Sequence, residues 1–261
     1  MAFGHWQIGL HIQQDSALSV ALSSGRSGRA LRRWWHIPLP AGTVDNGRLK
    51  APQQLFSALQ PWRDALPQRH QVRLAFPAAR TLQKKLPRPA MFLREKALTT
   101  WLSHAVAREL EMSTDDLRFD YAEDSLEQAW SVTAAQRREV AELLEMAKNL
   151  RLNLAAITPD ACALQRFIPF LTPPAACVVW QDEAQWLWAT QYGWGRRARE
   201  EVPAPCDLAA TLGLAEAQIT LCSDAANGFD PWGTLARLQP PLPENGDRYA
   251  IAIALALGER P

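Results

Sequence analysis

The chain has 261 residues, with 28 basic and 27 acidic side chains and a formal net charge of +1. That length allows one or two domains, and the near balance of charge gives no global electrostatic reason to bind nucleic acid or an anionic lipid surface. The four cysteines, Cys162, Cys177, Cys206 and Cys222, form no C-x-x-C pair, which speaks against a zinc site and for reduced thiols in a cytosolic protein.

In "QIGLHIQQDSALSVAL" (7–22), two apolar stretches flank a polar turn at 13–16, a strand–turn–strand pattern. Gln7, His11, Gln13 and Asp15 interrupt the apolar run and no basic region precedes it, so no signal peptide is expected. "RALRRWWHIPLP" (29–40) follows as a third strand after a Ser/Gly/Arg turn. A polar loop with "DNG" comes next. "APQQLFSALQPWRDAL" has helical spacing at Leu55, Leu59 and Trp62, with Pro61 expected to bend or interrupt the helix. "QVRLAF" is a short strand closed by Pro77. Three strands, a helix and a strand predict the first half of an α/β layer.

The character changes at Pro77. "ARTLQKKLPRPAM" reads as a strand entering a proline-punctuated loop. "FLREKALTTWLSHAVAREL" places Leu93, Ala97, Trp101, Leu102, Ala105 and Leu110 near helical spacing. "DDLRFDYAED" and "AWSVTAA" alternate like antiparallel strands. "AAQRREVAELLEMAKNL" forms a helix with Val140, Leu143, Leu144 and Ala147 on one face. Residues 79–151 are therefore expected to be an inserted β-α-β-β-α module. "LNLAAITPDACALQRFI" gives a strand, a turn at Thr158-Pro159-Asp160 and a short helix. From 173 the opening logic returns as strand, polar turn, strand, tight turn, strand. A short helix at "DLAATLGL" and a strand at "AQITLCSD" follow. The final apolar helix, "YAIAIALAL" (249–257), falls well short of the roughly 20 residues that span a bilayer. Two hairpin-led halves suggest a duplicated α/β architecture.

The usual catalytic signatures G-x-S-x-G, H-E-x-x-H and G-x-x-x-x-G-K-[ST] are absent. No catalytic residue, cofactor or metal is expected. His11 and His36, read as lying on neighbouring strands, lack the carboxylate or cysteine that would complete a metal ligand set. Asp120-Tyr121 and Glu123-Asp124 fit a solvated strand end better than a carboxylate pair whose pKa values a pocket drives apart. Arg26, Arg29, Arg32 and Arg33 beside Trp34-Trp35, and Arg196, Arg197 and Arg199 after Tyr192 and Trp194, mix cations and rings as single-strand binders do. Both sets fall at hairpin turns, where arginines are commonly solvated, and no direct nucleic-acid partner is expected.

Several phrases in order carry a resemblance. They are "FPAARTLQKKLPRPAM" before an amphipathic helix, "LRFDYAED", "ITPDACALQRF" (Asp160, Ala163 or Leu164, Arg166) and "YAIAIALALG". Together they resemble the PilM/HofM family, actin-like, FtsA-related proteins of type IV pilus assembly and DNA utilisation. The resemblance implies an α/β, actin-like, two-lobed fold with a small α+β insertion. Lobe 1 would comprise 1–78 and a return and linker at 152–175, the insertion 79–151, and a reduced lobe 2 176–261. It implies a cytoplasmic protein at the inner face of the inner membrane, peripheral through its partner. That partner would be a PilN/HofN-type inner-membrane protein, held by its cytoplasmic N-terminal peptide in a groove between core and insertion. Phe76, Leu82, Leu86 and Trp101 are the candidate groove residues.

The family's first phosphate motif, D-I-G-S-S-x-x-K, aligns with His11, Gln13 and Leu18 at its Asp, Gly and Lys. The second, V-D-I-G, aligns with Trp180 and Asp182, and the adenosine-side Gly-Gly with Ser223-Asp224. All three loops lack the glycines that let backbone approach phosphate. The expectation is a non-catalytic scaffold with a degenerate nucleotide site. A nucleotide-dependent actin-like ATPase switch and a direct nucleic-acid binder stand as alternatives.

Overall fold

The opening segment folds as antiparallel strands β1 (Trp6–Ile12) and β2 (Ser16–Gly25), followed by β3 (Gly28–Pro38). Across "DNG", two-residue strands β4 (Val44–Asp45) and β5 (Arg48–Leu49) are joined by Asn46 and Gly47, both at positive φ (49° and 72°), as a tight hairpin turn of the mirror-image type requires. Helix α1 (Pro52–Asp64) begins with proline, whose missing N–H costs nothing there. It buries Leu55, Leu59 and Trp62. Of the expected bend or interruption at Pro61, the interruption does not occur: the helix runs on to Asp64. Pro61 is exposed and sits in the last turn, and the buried Trp62 anchors the turn that follows. Strand β6 (His70–Phe76) returns parallel to β1.

The computed structural model describes residues 5–25, 28–124, 126–182, 184–223, 225 and 227–258. They belong to two units, Met1–Ala79 with Ala147–Pro261, and Arg80–Met146.

In the smaller unit, β7 (Thr81–Pro87), α2 (Glu95–Glu109), β8 (Leu117–Asp124) and β9 (Ala129–Gln136) lead into α3 (Arg137–Asn149). The sheet order is β7-β9-β8, antiparallel throughout. The face α2 buries is Leu98, Leu102, Ala105 and Val106, packed against Leu86, Leu117, Val132 and Ala134. Ala97, expected on that face, is exposed; a helix has 100° between residues, and Leu98 brings more apolar area to the sheet. On α3 the buried set is Leu143, Met146 and Ala147, with Leu144 exposed. Glu139 is buried too, its carboxylate held by the Arg80 guanidinium.

In the larger unit, β10 (Leu154–Pro159) completes a five-stranded sheet of order β10-β6-β1-β2-β3. The expected turn at 158–160 does not form: the strand runs through Pro159, opposite Phe76. An edge strand tolerates proline because one of its sides needs no N–H. The short α4 (Asp160–Ala163) follows directly and continues as a 3₁₀ helix, Leu164–Phe170. β11 (Cys177–Gln181), β12 (Gln185–Thr190) and β13 (Trp194–Ala198) then repeat the antiparallel meander. After α5 (Pro205–Leu212), β14 (Ile219–Leu221) lies parallel to β11, giving the order β13-β12-β11-β14. The two sheets share one topology, and the second has one strand fewer.

Both sheets contribute to one core around α6 (Ala250–Leu257), which is apolar on every side and buried from Ala250 to Ala256, as such a helix must be. Its alanines let β1 come close. A Cβ on Gly9 would lie 1.9 Å from the Ala252 carbonyl oxygen. No helix among the described residues is long and apolar enough to cross a membrane.

Candidate functional site: two hairpins closed on each other

Hairpin β1–β2 closes with the Gln13 N–H donating to the Ser16 carbonyl at 2.8 Å, while the Ser16 hydroxyl donates to Asp15 Oδ1 at 2.8 Å. His11, one turn position back, is 5% exposed. Burial first, and the nearby Arg248 charge second, push its pKa down to about 3. The ring is therefore neutral at physiological pH, and its Nδ1 accepts from the Gln13 amide at 3.4 Å. Leu18, opposite His11 in register, is core. His36 lies opposite Leu18 on β3, so the two histidines are separated by a strand rather than on neighbouring ones. Among the described residues no three His, Cys, Asp or Glu side chains gather to hold a metal.

Hairpin β11–β12 handles its turn locally. Asp182 Oδ1 accepts the backbone N–H groups of Ala184 (2.8 Å) and Gln185 (2.7 Å), and Oδ2 accepts the Gln185 amide at 3.2 Å. Turn N–H groups of this kind are what a phosphate loop offers to an anion. Here the chain's own carboxylate takes them.

Side chains of the two hairpins meet. Trp180, 4% exposed, stands edge-to-face with the His11 ring at 5.5 Å between centroids, and its indole N–H donates to the Asp247 carbonyl at 3.0 Å. Asp247 and Arg248 lie in the 3₁₀ turn Gly246–Tyr249 that leads into α6. Arg248 reaches back to the first hairpin, donating to Gln13 Oε1 (3.2 Å) and the Ser16 hydroxyl (3.3 Å), and it stands 3.6 Å from Asp15 Oδ1. His11, Gln13 and Trp180, three positions that the resemblance assigns to phosphate binding, thus contact one another or the same pair of residues ahead of α6. The reading of the sequence missed Arg248, Asp247 and Gly9. No local pattern marks them, because their partners lie far away in sequence, 67 residues for Asp247 and 235 for Arg248.

The third loop is separate. Ser223 donates its N–H to the Phe229 carbonyl and accepts the Ala225 N–H on its hydroxyl; Asp224 lies outside the described residues. A cleft of about 330 Å³ opens beside it, lined by Cys206, Glu216, Ile219, Thr220, Leu221 and Ser223 among others. None of His11, Gln13, Trp180, Asp182 or Arg248 lines it.

Asp160 was read as one residue of a family phrase, and the structure gives it a tertiary role. It is buried, and its Oδ1 accepts the N–H of Ala78 (2.9 Å) and of Ala161 (2.7 Å), tying the exit of β6 to the start of α4. Burial first, with Asp182 adding, raises its pKa to about 7 against those hydrogen bonds and Arg196.

Of the proposed groove residues, Phe76 is core at the end of β6 and Leu86 is core within the smaller unit. Leu82 is 44% exposed on the same face of β7, and Trp101 is half-buried against the α2 cluster. The arginine–aromatic sets are largely engaged. Arg29 holds Ser24 and the Leu257 carbonyl, Arg32 holds Ser23, and Arg33 and Arg199 stack on Trp35 and Trp186, each at 5.2 Å. The Trp34 indole donates to the Pro241 carbonyl. Arg26 lies outside the described residues.

Two hairpin-led sheets of one topology around a single buried helix, with an α+β unit inserted before the last strand of the first, make an actin-like fold. No family model matches the chain. The DNA utilization protein HofM of Escherichia coli (strain K12) is 51% identical over 259 residues, 99% of each chain, and the chain belongs to the HofM family. Among solved structures, the PilM-PilN type IV pilus biogenesis complex superposes with a TM-score of 0.70 at 16% identity, covering 96% of this chain and 97% of that one. The cytoplasmic domain of EpsL, an inner membrane component of the type II secretion system of Vibrio cholerae, gives 0.63 at 11%, covering 97% and 95%.

Proposed function

We propose that this protein is a non-catalytic, cytoplasmic scaffold of a pilus-, secretion- or DNA-utilisation-type apparatus at the inner face of the inner membrane. Its work is to capture the cytoplasmic N-terminal peptide of a PilN/HofN-type inner-membrane protein. The observation that carries the reading is the ring contact of Trp180 with His11, beside the hydrogen bonds of Arg248 to Gln13 and Ser16. A buried indole and a neutral imidazole stand at the positions aligned with the two acids, and Gln13, bonded to Arg248, stands at that of the first glycine. Asp182 occupies its own turn's donors, which disfavours a second anion there. The names of the HofM relative and of the PilM-PilN complex support the choice of apparatus and partner.

An extended peptide adds main-chain hydrogen bonds to a sheet edge and sets alternate side chains against apolar ones. Terminal strand β7 with Leu82, and α2 with Trp101, supply such a pairing within the smaller unit. Titrating the partner's N-terminal peptide into the full chain tests it. Saturable binding is expected, weakened roughly tenfold by Leu82→Asp or Trp101→Ala. No binding at high micromolar peptide contradicts it.

A further inference from the structure

The largest exposed apolar side chains of the smaller unit gather at one end of its sheet. Phe92 is 96% exposed and Met91 70%, both in the loop from β7 to α2; Leu126, in the β8–β9 turn, is 67% exposed. Pairing puts loop and turn together. Pro87 and Asp124 both face Ala129, and the Arg88 N–H donates to the Gln128 carbonyl at 3.4 Å. Exposed single hydrophobes are ordinary, but a phenylalanine, a methionine and a leucine left open at one end of a sheet mark an interaction surface.

The surrounding charges narrow the occupant. Lys85 is held by Asp124 (3.0 Å) and Glu127 (2.7 Å), and Arg88 by Glu123. Two cations thereby offset two of the three carboxylates at this end. Arg88 also lies over the Trp130 ring, 6.0 Å from its centroid. Arg94 and Lys96, flanking Glu95 where α2 begins, are exposed and have no ion pair among the described residues. Apolar side chains at loop tips, backed by cations that can extend to headgroup level, form the arrangement of shallow interfacial insertion. We propose that this end of the 80–146 unit docks on a phospholipid bilayer, Met91, Phe92 and Leu126 entering the headgroup boundary and Arg94 and Lys96 meeting lipid phosphates.

The anchor acts independently of peptide capture, so each can fail without the other. The close balance of charge at this end predicts that insertion, more than long-range attraction, provides the affinity, so added salt weakens binding only in part. Flotation of the full chain with vesicles of phosphatidylethanolamine and phosphatidylglycerol tests the proposal, with no peptide present. The wild type is expected to float with lipid. A Met91→Ser/Phe92→Ser/Leu126→Ser variant, altered only at exposed positions, is expected to partition about tenfold less or worse with its circular dichroism unchanged. Arg94→Glu/Lys96→Glu is expected to lose a smaller factor. Wild type that stays with the lipid-free fraction, or a triple variant that floats equally well, overturns it. So does capture of a protein at this surface by a chain that ignores vesicles.

Discussion

The two β-hairpins occupy equivalent places in sheets of the same topology, yet their turns are satisfied in opposite ways. The second closes on itself: Asp182 takes the N–H groups of Ala184 and Gln185 two and three residues on. The first depends on Arg248, more than 230 residues downstream, and on a neutral His11 set against Trp180 from the second sheet. One turn is a local structure and the other a tertiary contact. In both, the chain's own side chains satisfy the turn.

The contrast breaks most visibly at Trp180, which both hairpins share. Trp180→Ala should cost about 3–5 kcal/mol, the range for truncating a buried tryptophan, read as a lowered midpoint in urea. A loss under about 1 kcal/mol would mean that the indole does not join the two sheets.

The pH dependence sharpens the comparison next. His11 has a folded pKa near 3, below its unfolded 6.5. Its contribution is therefore present above pH 6.5 and is lost as pH falls toward 3. Asp160 has a folded pKa near 7, above its unfolded 3.8. Burying its charged form costs stability as pH rises from 3.8 to 7, and acidification over that range restores it. The slopes oppose each other in the shared window, each worth at most a few kcal/mol at about 1.4 kcal/mol per unit. His11→Phe should leave a chain that gains stability on acidification from 7 to 4, and Asp160→Asn one that loses it from 6.5 downward. Parallel pH profiles of both variants and wild type would contradict these assignments.

Gly9→Ala comes third. Its Cβ meets the backbone of α6 rather than a flexible side chain, and overpacking of this kind costs roughly 1–3 kcal/mol, visible as a lowered melting temperature. The smallest effects separate the hairpins themselves. Arg248→Ala and Asp182→Ala should each cost about 1 kcal/mol. By hydrogen exchange, the first should loosen the Gln13 amide alone and the second the Ala184 and Gln185 amides alone. Loosening of both turns by either change would show that the two are not independent.

What could be read from the residues follows the same division. Strand–turn–strand patterns, the β-α-β-β-α order and the apolar last helix depend on local periodicity, and all were legible. Pro61 and Pro159 misled for different reasons: α1 gives up one hydrogen bond at Pro61 and has only three residues left to run, whereas Pro159 stands on an edge strand, one side of which needs no N–H. The departures at His11, Gln13, Trp180 and Asp182 were visible as departures. The contacts these residues make were not, because Arg248 and Asp247 sit in an unmarked turn before α6 and reach the two hairpins only in the folded chain. Exposure was equally hidden: Leu82 and Leu86 share one strand face, and only the packing of α2 decides which of them is core.

Calorimetric titration of the full chain with ATP and magnesium tests the central claim most directly. With Trp180 against His11, Arg248 bonded to Gln13 and Ser16, and Asp182 capping its own turn, no saturable heat is expected up to millimolar nucleotide. Saturable binding in the micromolar range, lost on Arg248→Ala, would contradict it by showing that these residues serve a nucleotide rather than one another.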